Sequence, residues 1–351
     1  MLSLIVSKEH FMYKEIYEGP DAVLKTLSEE KDNAEKIARE IPEGKFKAIH
    51  IIGSGTSFHA SLVLQYYLSA LGKVESTAIP ASEYLLWNPE LDKYAIIAYS
   101  QSGESGDIIE ALEKIDRSKA RIYGITNTPG STLTKISDFS IVTRAGEEKA
   151  VTATKTFDVQ IAAAIMISAS IKEENKHIRE GLAEVAEDLK KILPEIDKEA
   201  EKISSEIKGA EDLYVLGTGK CYPIALEAGL KFKEAACIHA EAFALREFLH
   251  GPVQLVDEST PVIIILHNKT ARERAEKVIK KLKQYKPPII AIHSEEIKVD
   301  DFASEAISIP IKDDIYATLY TVKAIQLLSY HTSIARGLNP DSPTKLTKVV
   351  K

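Results

Sequence analysis

The chain has 351 residues, 44% hydrophobic and 28% charged, with a formal net charge of -7 at pH 7 and a pI near 5.8. That length buries a sizeable core divided over two domains, and the acidic balance speaks against a nucleic-acid surface while leaving room for a small anion held by local donors. Cys221 and Cys237 have neither a partner pair nor histidines at zinc spacing, no signal peptide is legible, and the apolar run at 159–171 is too short to span a bilayer; no metal, no cofactor, no membrane and a cytoplasmic location are expected.

In chain order, a polar helical lead-in follows His10 and stops near Pro42-Glu43-Gly44. Residues 48–52 form a buried-strand pattern, Gly53-Ser54-Gly55-Thr56-Ser57 a turn, and 58–71 a helix. The pattern recurs with a strand at 94–99, a polar turn at 100–107, a helix at 108–115 and a strand at 121–126. Such alternation predicts a doubly wound α/β domain with a parallel sheet. A charged helical region, 172–208, then joins this domain to a second.

The first motif returns there. Leu213 to Cys221 matches Ile49 to Ser57 about 164 positions earlier, and the strand at 261–266 with its turn at His267 matches 94–99 with its turn at Ser100. Two copies of one α/β unit are therefore expected, of which only the first carries the serine cluster Ser100-Gln101-Ser102-Gly103-Glu104-Ser105.

That cluster lies between a strand and a helix start, where free backbone N–H groups, the helix dipole and serine hydroxyls converge on a point suited to a phosphate monoester. The plain alternative is a turn in which Ser and Gly only cap the helix. Dinucleotide binding is disfavoured because Gly53-Ser54-Gly55 never completes G-x-G-x-x-G, and nucleotide triphosphate binding because no P-loop motif occurs. Thr152 to Thr156 adds further hydroxyls near the carboxyl ends of the strands.

In the second copy, Glu227, Lys231 and Glu234 fall on one face of a predicted helix. A solvated ion-pair face is the plain reading. Leu226, Leu230, Ala235, Ala236 and Ile238 make the helix strongly apolar, which would line part of that face along a cleft and suit a carboxylate to general-base work. His250, before Gly251-Pro252, sits in an exposed turn. A carboxylate, a lysine and a histidine in such a protein suggest proton transfer between adjacent carbons of a sugar phosphate; no G-x-S-x-G elbow supports a nucleophilic alternative.

These motifs resemble the SIS sugar-isomerase family, and specifically the isomerase half of the glutamine:fructose-6-phosphate amidotransferases (glucosamine-6-phosphate synthases). The resemblance runs from His10-Phe11-Met12 through Gly55-Thr56-Ser57, residues 100–104, Ala153-Thr154-Lys155 and residues 222–252 to the tail. It implies two tandem doubly wound SIS domains of flavodoxin-like parallel sheet: a lead-in at 1–44, a sugar-phosphate-binding domain at 45–175, a connector at 176–208, a catalytic domain at 209–335 and a closing tail at 336–351.

The resemblance further implies that Thr56, Ser57, Ser100, Gln101, Ser102 and Ser105 hold the sugar phosphate and that Val151 and Ala153 line the sugar. It makes Glu234 the base between C1 and C2, Lys231 the group that meets the developing oxyanion, and Lys348 the tail lysine that closes over the substrate. His250 opens the ring from a neighbouring subunit, which implies a homodimer. The family's glutaminase domain has no counterpart in a sequence starting Met1-Leu2-Ser3, the tail arginine is missing from Pro343-Thr344-Lys345-Leu346-Thr347-Lys348, and Ser54 replaces a cysteine. The expectation is a glucosamine-6-phosphate deaminase yielding fructose-6-phosphate and ammonia. Its alternatives are an ammonia-dependent synthase, a phosphosugar isomerase and a non-catalytic sugar-phosphate sensor.

Overall fold

Helix α1 (Phe11–Glu43) opens the computed structural model, which describes residues 10–87 and 92–348. The outermost residues of the predicted lead-in and tail, 1–9 and 349–351, lie outside the described residues. The buried positions of α1, among them Met12, Ile16, Val23, Ala34, Ile37 and Ile41, recur at helical spacing and give it an apolar stripe. Its first turn is closed from far along the chain: the Asp341 carboxylate accepts from the backbone N–H of Phe11 (2.9 Å) and Met12 (2.7 Å).

Two compact units are present, both discontinuous in sequence. One combines Glu18–Glu148, Ala153–Asp188 and the chain from Thr347; the other combines the chain up to Tyr17, Lys149–Thr152 and Leu189–Leu346. The region predicted as a connector is helix α7 (Lys176–Ile207), which contributes to both units and buries Leu182, Ala186, Leu189, Leu193, Ile196, Ala200, Ile203 and Ile207.

The first unit holds a sheet of β1 (Ile49–Gly53), β2 (Thr77–Pro80), β3 (Tyr94–Tyr99), β4 (Ala120–Thr126) and β5 (Phe139–Val142), in the order β2-β1-β3-β4-β5 with every pair parallel. Around it run α2 (Thr56–Tyr67), α3 (Ala81–Trp87), α4 (Gly106–Glu113), α5 (Thr132–Ile136) and α6 (Lys155–Ser170). Strands β1 and β3 are buried along their whole length, as expected for a parallel sheet covered on both faces.

The second unit repeats the plan with β6 (Asp212–Gly217), β7 (His239–Ala244), β8 (Val262–Leu266), β9 (Ile289–Ser294) and β10 (Glu305–Ile309), ordered β10-β9-β8-β6-β7 and again wholly parallel. Counted within its own half, this is the flavodoxin-like order of the first sheet in reverse listing, so the duplication holds at the level of topology. Its helices are α8 (Tyr222–Ala236), α9 (Lys269–Leu282) and α10 (Ala317–Ala335).

Two local differences from the sequence pattern stand out. The helix expected over 58–71 starts at Thr56 and widens into a π-helical turn at Leu68–Gly72, and β2 with α3 was not anticipated, because a four-residue edge strand ending in Pro80 carries almost no periodic signal.

Candidate functional site

In the first-sheet unit, the candidate residues stand on the turns that follow β1 and β3. These strands are neighbours in the sheet, and the chain leaves them in the crevice where doubly wound sheets take ligands. After β1, Gly55 adopts φ +55, a conformation that favours glycine, and Thr56 and Ser57 start α2. After β3, the Ser100 hydroxyl accepts from Gly103 N–H at 3.0 Å and the Ser102 hydroxyl from Glu104 N–H at 3.1 Å. Gly103 has φ +67, and a Cβ there would meet the Ser131 hydroxyl at 2.2 Å, so only glycine fits.

Ser100 and Ser102 thus tighten the turn as acceptors, as the plain alternative required. An oxygen that accepts still has its own proton to give, so both remain able to donate to an anion. Ser105 is the N-cap of α4 in extended conformation, without a side-chain cap bond. The Gln101 carbonyl accepts from Asn127 N–H at 3.0 Å, which fixes the backbone of the loop.

A residue missed by sequence reasoning organises the other edge of this unit. Glu148, fully buried, accepts from Thr154 N–H (2.9 Å), Thr156 N–H (3.1 Å), the Thr156 hydroxyl (2.8 Å) and the Lys348 ammonium (2.7 Å). Burial alone would raise its pKa; the Lys348 charge and the threonine donors outweigh burial and hold the carboxyl below its ordinary value. The tail lysine is therefore seated on Glu148. Ala153, half-buried, lies just before Thr154; Val151 belongs to the other unit, where its N–H donates to the Asp341 carbonyl at 3.0 Å.

In the second-sheet unit the predicted face of α8 is real and tighter than its spacing alone required. The Lys231 ammonium lies 3.2 Å from the Glu227 carboxylate and 2.5 Å from that of Glu234. Lys231 and Glu227 are 1% exposed at the side chain and Glu234 is 21% exposed, so Glu234 is the carboxylate open to a ligand. Desolvation disfavours the Lys231 charge, but Glu227 and Glu234 outweigh it and raise its pKa above the lysine range. The two carboxylates thus favour the ammonium form of Lys231.

The apolar side of α8 differs from expectation: Ile224, Ala225, Ala228, Phe232, Ala235 and Ala236 enter the core, whereas Leu226 and Leu230, two turns and one turn before Glu234, are only half-buried. His250 ends a 3-10 turn (Glu247–His250) before Gly251 at φ +142; it is exposed and has no hydrogen bond or ion pair among the described residues.

The turns after β6 and β8, equivalent to the serine turns, are occupied differently. The Lys220 ammonium pairs with the Asp314 carboxylate, and His267 Nε2 lies 3.6 Å from the other Asp314 oxygen. Burial drives the His267 pKa down to about 4, against the pull of Asp314, so the imidazole is neutral. Among the described residues no group of three or more His, Cys, Asp or Glu side chains is placed to hold a metal ion, and no helix is long and apolar enough to cross a membrane.

Comparison with known proteins matches the SIS domain model to residues 45–170 and 206–336. Over 360 residues the chain is 34% identical to the glutamine--fructose-6-phosphate aminotransferase [isomerizing] of Clostridium tetani, covering 97% of this chain but only 59% of that relative. The C-terminal domain of glucosamine-fructose-6-phosphate aminotransferase from Francisella tularensis superposes with a TM-score of 0.83 at 28% identity, covering 95% of this chain and 98% of that one. A glucosamine-6-phosphate deaminase from Thermotoga maritima superposes with a TM-score of 0.71 at 25% identity, over 94% and 99% respectively. With two domain matches falling on two sheets of the same strand order, the chain belongs to the SIS-domain family and carries the domain twice.

Proposed function

We propose that this chain is an enzyme that moves a proton between C1 and C2 of a hexose phosphate, and that with glucosamine-6-phosphate it releases ammonia and forms fructose-6-phosphate. The observation that carries this reading is a locked ammonium, Lys231, hydrogen-bonded to an accessible carboxylate, Glu234. That pair supplies a base and a fixed positive charge for the oxygen on which negative charge develops.

In this scheme the serine turns after β1 and β3 take the phosphate. His250, exposed and unengaged, opens the ring from a second copy of the chain, so the working form is at least a dimer. Glu234 removes the C2 proton of the open aldehyde; the electron pair moves into the C1–C2 bond and the C1 oxygen becomes an oxyanion facing Lys231. The proton returns to C1 and the C1 oxyanion takes a proton from the C2 nitrogen, leaving a C1 hydroxyl and an imine at C2, which one water hydrolyses to the ketone and ammonia.

Deamination is favoured over glutamine-fed synthesis by the tail, which has Thr344 where the family pattern has arginine, and by the likeness to the Thermotoga maritima deaminase. The relatives named as aminotransferases favour a second reading, amination of fructose-6-phosphate by ammonia through the same steps in reverse.

The test is incubation of the purified protein with glucosamine-6-phosphate, following ammonia and fructose-6-phosphate, which are expected in equal amounts. Glu234→Gln is expected to lower kcat by about 100- to 10,000-fold while sugar phosphate still binds. Interconversion of fructose-6-phosphate with glucose-6-phosphate and no ammonia would sink deamination; full turnover by Glu234→Gln would remove the base.

A further inference from the structure

Ser57 is nine-tenths buried, and its hydroxyl oxygen accepts a hydrogen bond from Gln160 Nε2 on α6 at 3.0 Å. Its own proton has no acceptor among the described residues: the neighbouring Ser61 hydroxyl bonds to the Ser57 backbone carbonyl at 2.9 Å and leaves the side chain alone. A hydroxyl that accepts from the amide and spends its proton on no protein acceptor keeps that proton for a ligand. Turned over, the same amide would take the serine proton and present a lone pair to the ligand instead.

Gln160 is itself buried, and its carbonyl oxygen has no hydrogen-bond partner among the described residues. It sits one turn beyond Thr156 on α6, whose start is pinned by Thr154 and Thr156 to Glu148. In the second copy, the position of Ser57 is taken by Cys221, a buried thiol whose side-chain partner is Thr321 on α10. The copy that has the serine turn is the copy that has the amide behind it.

We propose that Gln160 is a positioning residue that keeps the Ser57 proton free to be donated into this crevice and so tunes it to a ligand rich in acceptors, the dianionic form of a phosphate monoester. The proposal rests on the reading of the serine turns as the phosphate seat. A hydrogen bond lost to a charged ligand weakens binding by about tenfold or more.

The experiment measures the Kd of inorganic phosphate by calorimetry at pH 8 for the wild type, Ser57→Ala, Gln160→Met, Gln160→Glu and the Ser57→Ala/Gln160→Met double variant, with thermal unfolding to verify folding. Ser57→Ala and Gln160→Met are each expected to weaken phosphate about tenfold, and the double variant no more than Ser57→Ala alone, because the amide acts only through the serine. Gln160→Glu, which accepts the serine proton and adds negative charge, is expected to weaken it about 100-fold; Gln160→Met keeps the test decisive if that variant does not fold. KM for the sugar phosphate should rise by the same factors while kcat stays within about twofold. Weakening by Ser57→Ala without weakening by Gln160→Met, or additive losses in the double variant, overturns the role of Gln160. An unchanged Kd in Ser57→Ala overturns the phosphate seat itself, and the inference with it.

Discussion

The turn Gly53 to Ser57 and the turn Gly217 to Cys221 share one backbone. Gly55 and Gly219 have φ +55 and +56, Ser57 N–H bonds to Ser54 O at 3.1 Å and Cys221 N–H to Thr218 O at 3.2 Å, and a Cβ on Gly53 or Gly217 would strike the backbone oxygen four residues on at 2.4 or 2.5 Å. Their side chains have gone separate ways. One turn keeps hydroxyls with protons to give; its counterpart is filled by Lys220, Asp314 and His267, and that copy carries its buried ionic cluster, Glu227, Lys231 and Glu234, on the next helix. Duplication has preserved what the backbone sterically requires and released everything else, so the division of labour is written in a few side chains.

The sharpest way to break this comparison is to remove the charge that distinguishes α8. Lys231→Met takes the ammonium away from the buried Glu227 carboxylate and is expected to cost about 3 to 5 kcal/mol in denaturant unfolding, with Glu227→Gln in the same chain restoring much of the loss. Full stability in the single variant would mean that the α8 cluster is an ordinary surface ion pair.

A smaller effect tests the lysine-carboxylate contact of the first-sheet unit. Because the folded pKa of Glu148 is depressed, its contribution is fully present above the unfolded value of about 4.3 and is lost as pH falls through the folded value. Glu148→Gln is expected to be about 2 kcal/mol less stable at pH 7, with the gap closing below about pH 4 in a series of melting temperatures. A gap independent of pH would show that Lys348 and Glu148 do not interact as charges.

The smallest effect is predicted for Cys221→Ser, which gives the second copy the serine of the first. Burial pushes the Cys221 thiol up to about 12. Native protein should therefore react with a thiol reagent at Cys237 only, and the serine variant should bind phosphate with the wild-type stoichiometry. A second phosphate per chain would show that one hydroxyl suffices to recreate the site.

Much of this was legible in the chain. Glycine turns are local, so Gly53 to Ser57 and its repeat could be read without coordinates, and the Glu227, Lys231, Glu234 spacing is a property of one helix. Glu148 and Gln160 were not legible, because their partners are distant: Lys348 is 200 positions from Glu148, and Ser57 is 103 from Gln160. Helix α6 hides Gln160 further. It is buried on all sides from Lys155 to Ala169, so no amphipathic stripe singles out the polar residue with a task. Leu226 and Leu230 misled for the converse reason, since apolar side chains on a helix need not face its core.

The cap on α1 has a consequence in time. Phe11 and Met12 are synthesised well before the carboxylate that receives their N–H groups, which is 330 and 329 positions later. At the usual pace of synthesis the helix start waits on the order of 20 to 60 s for Asp341. During that interval its exposed donors are served by water, and the second-sheet unit, which combines residues up to Tyr17 with Leu189–Leu346, closes only after both stretches have been made.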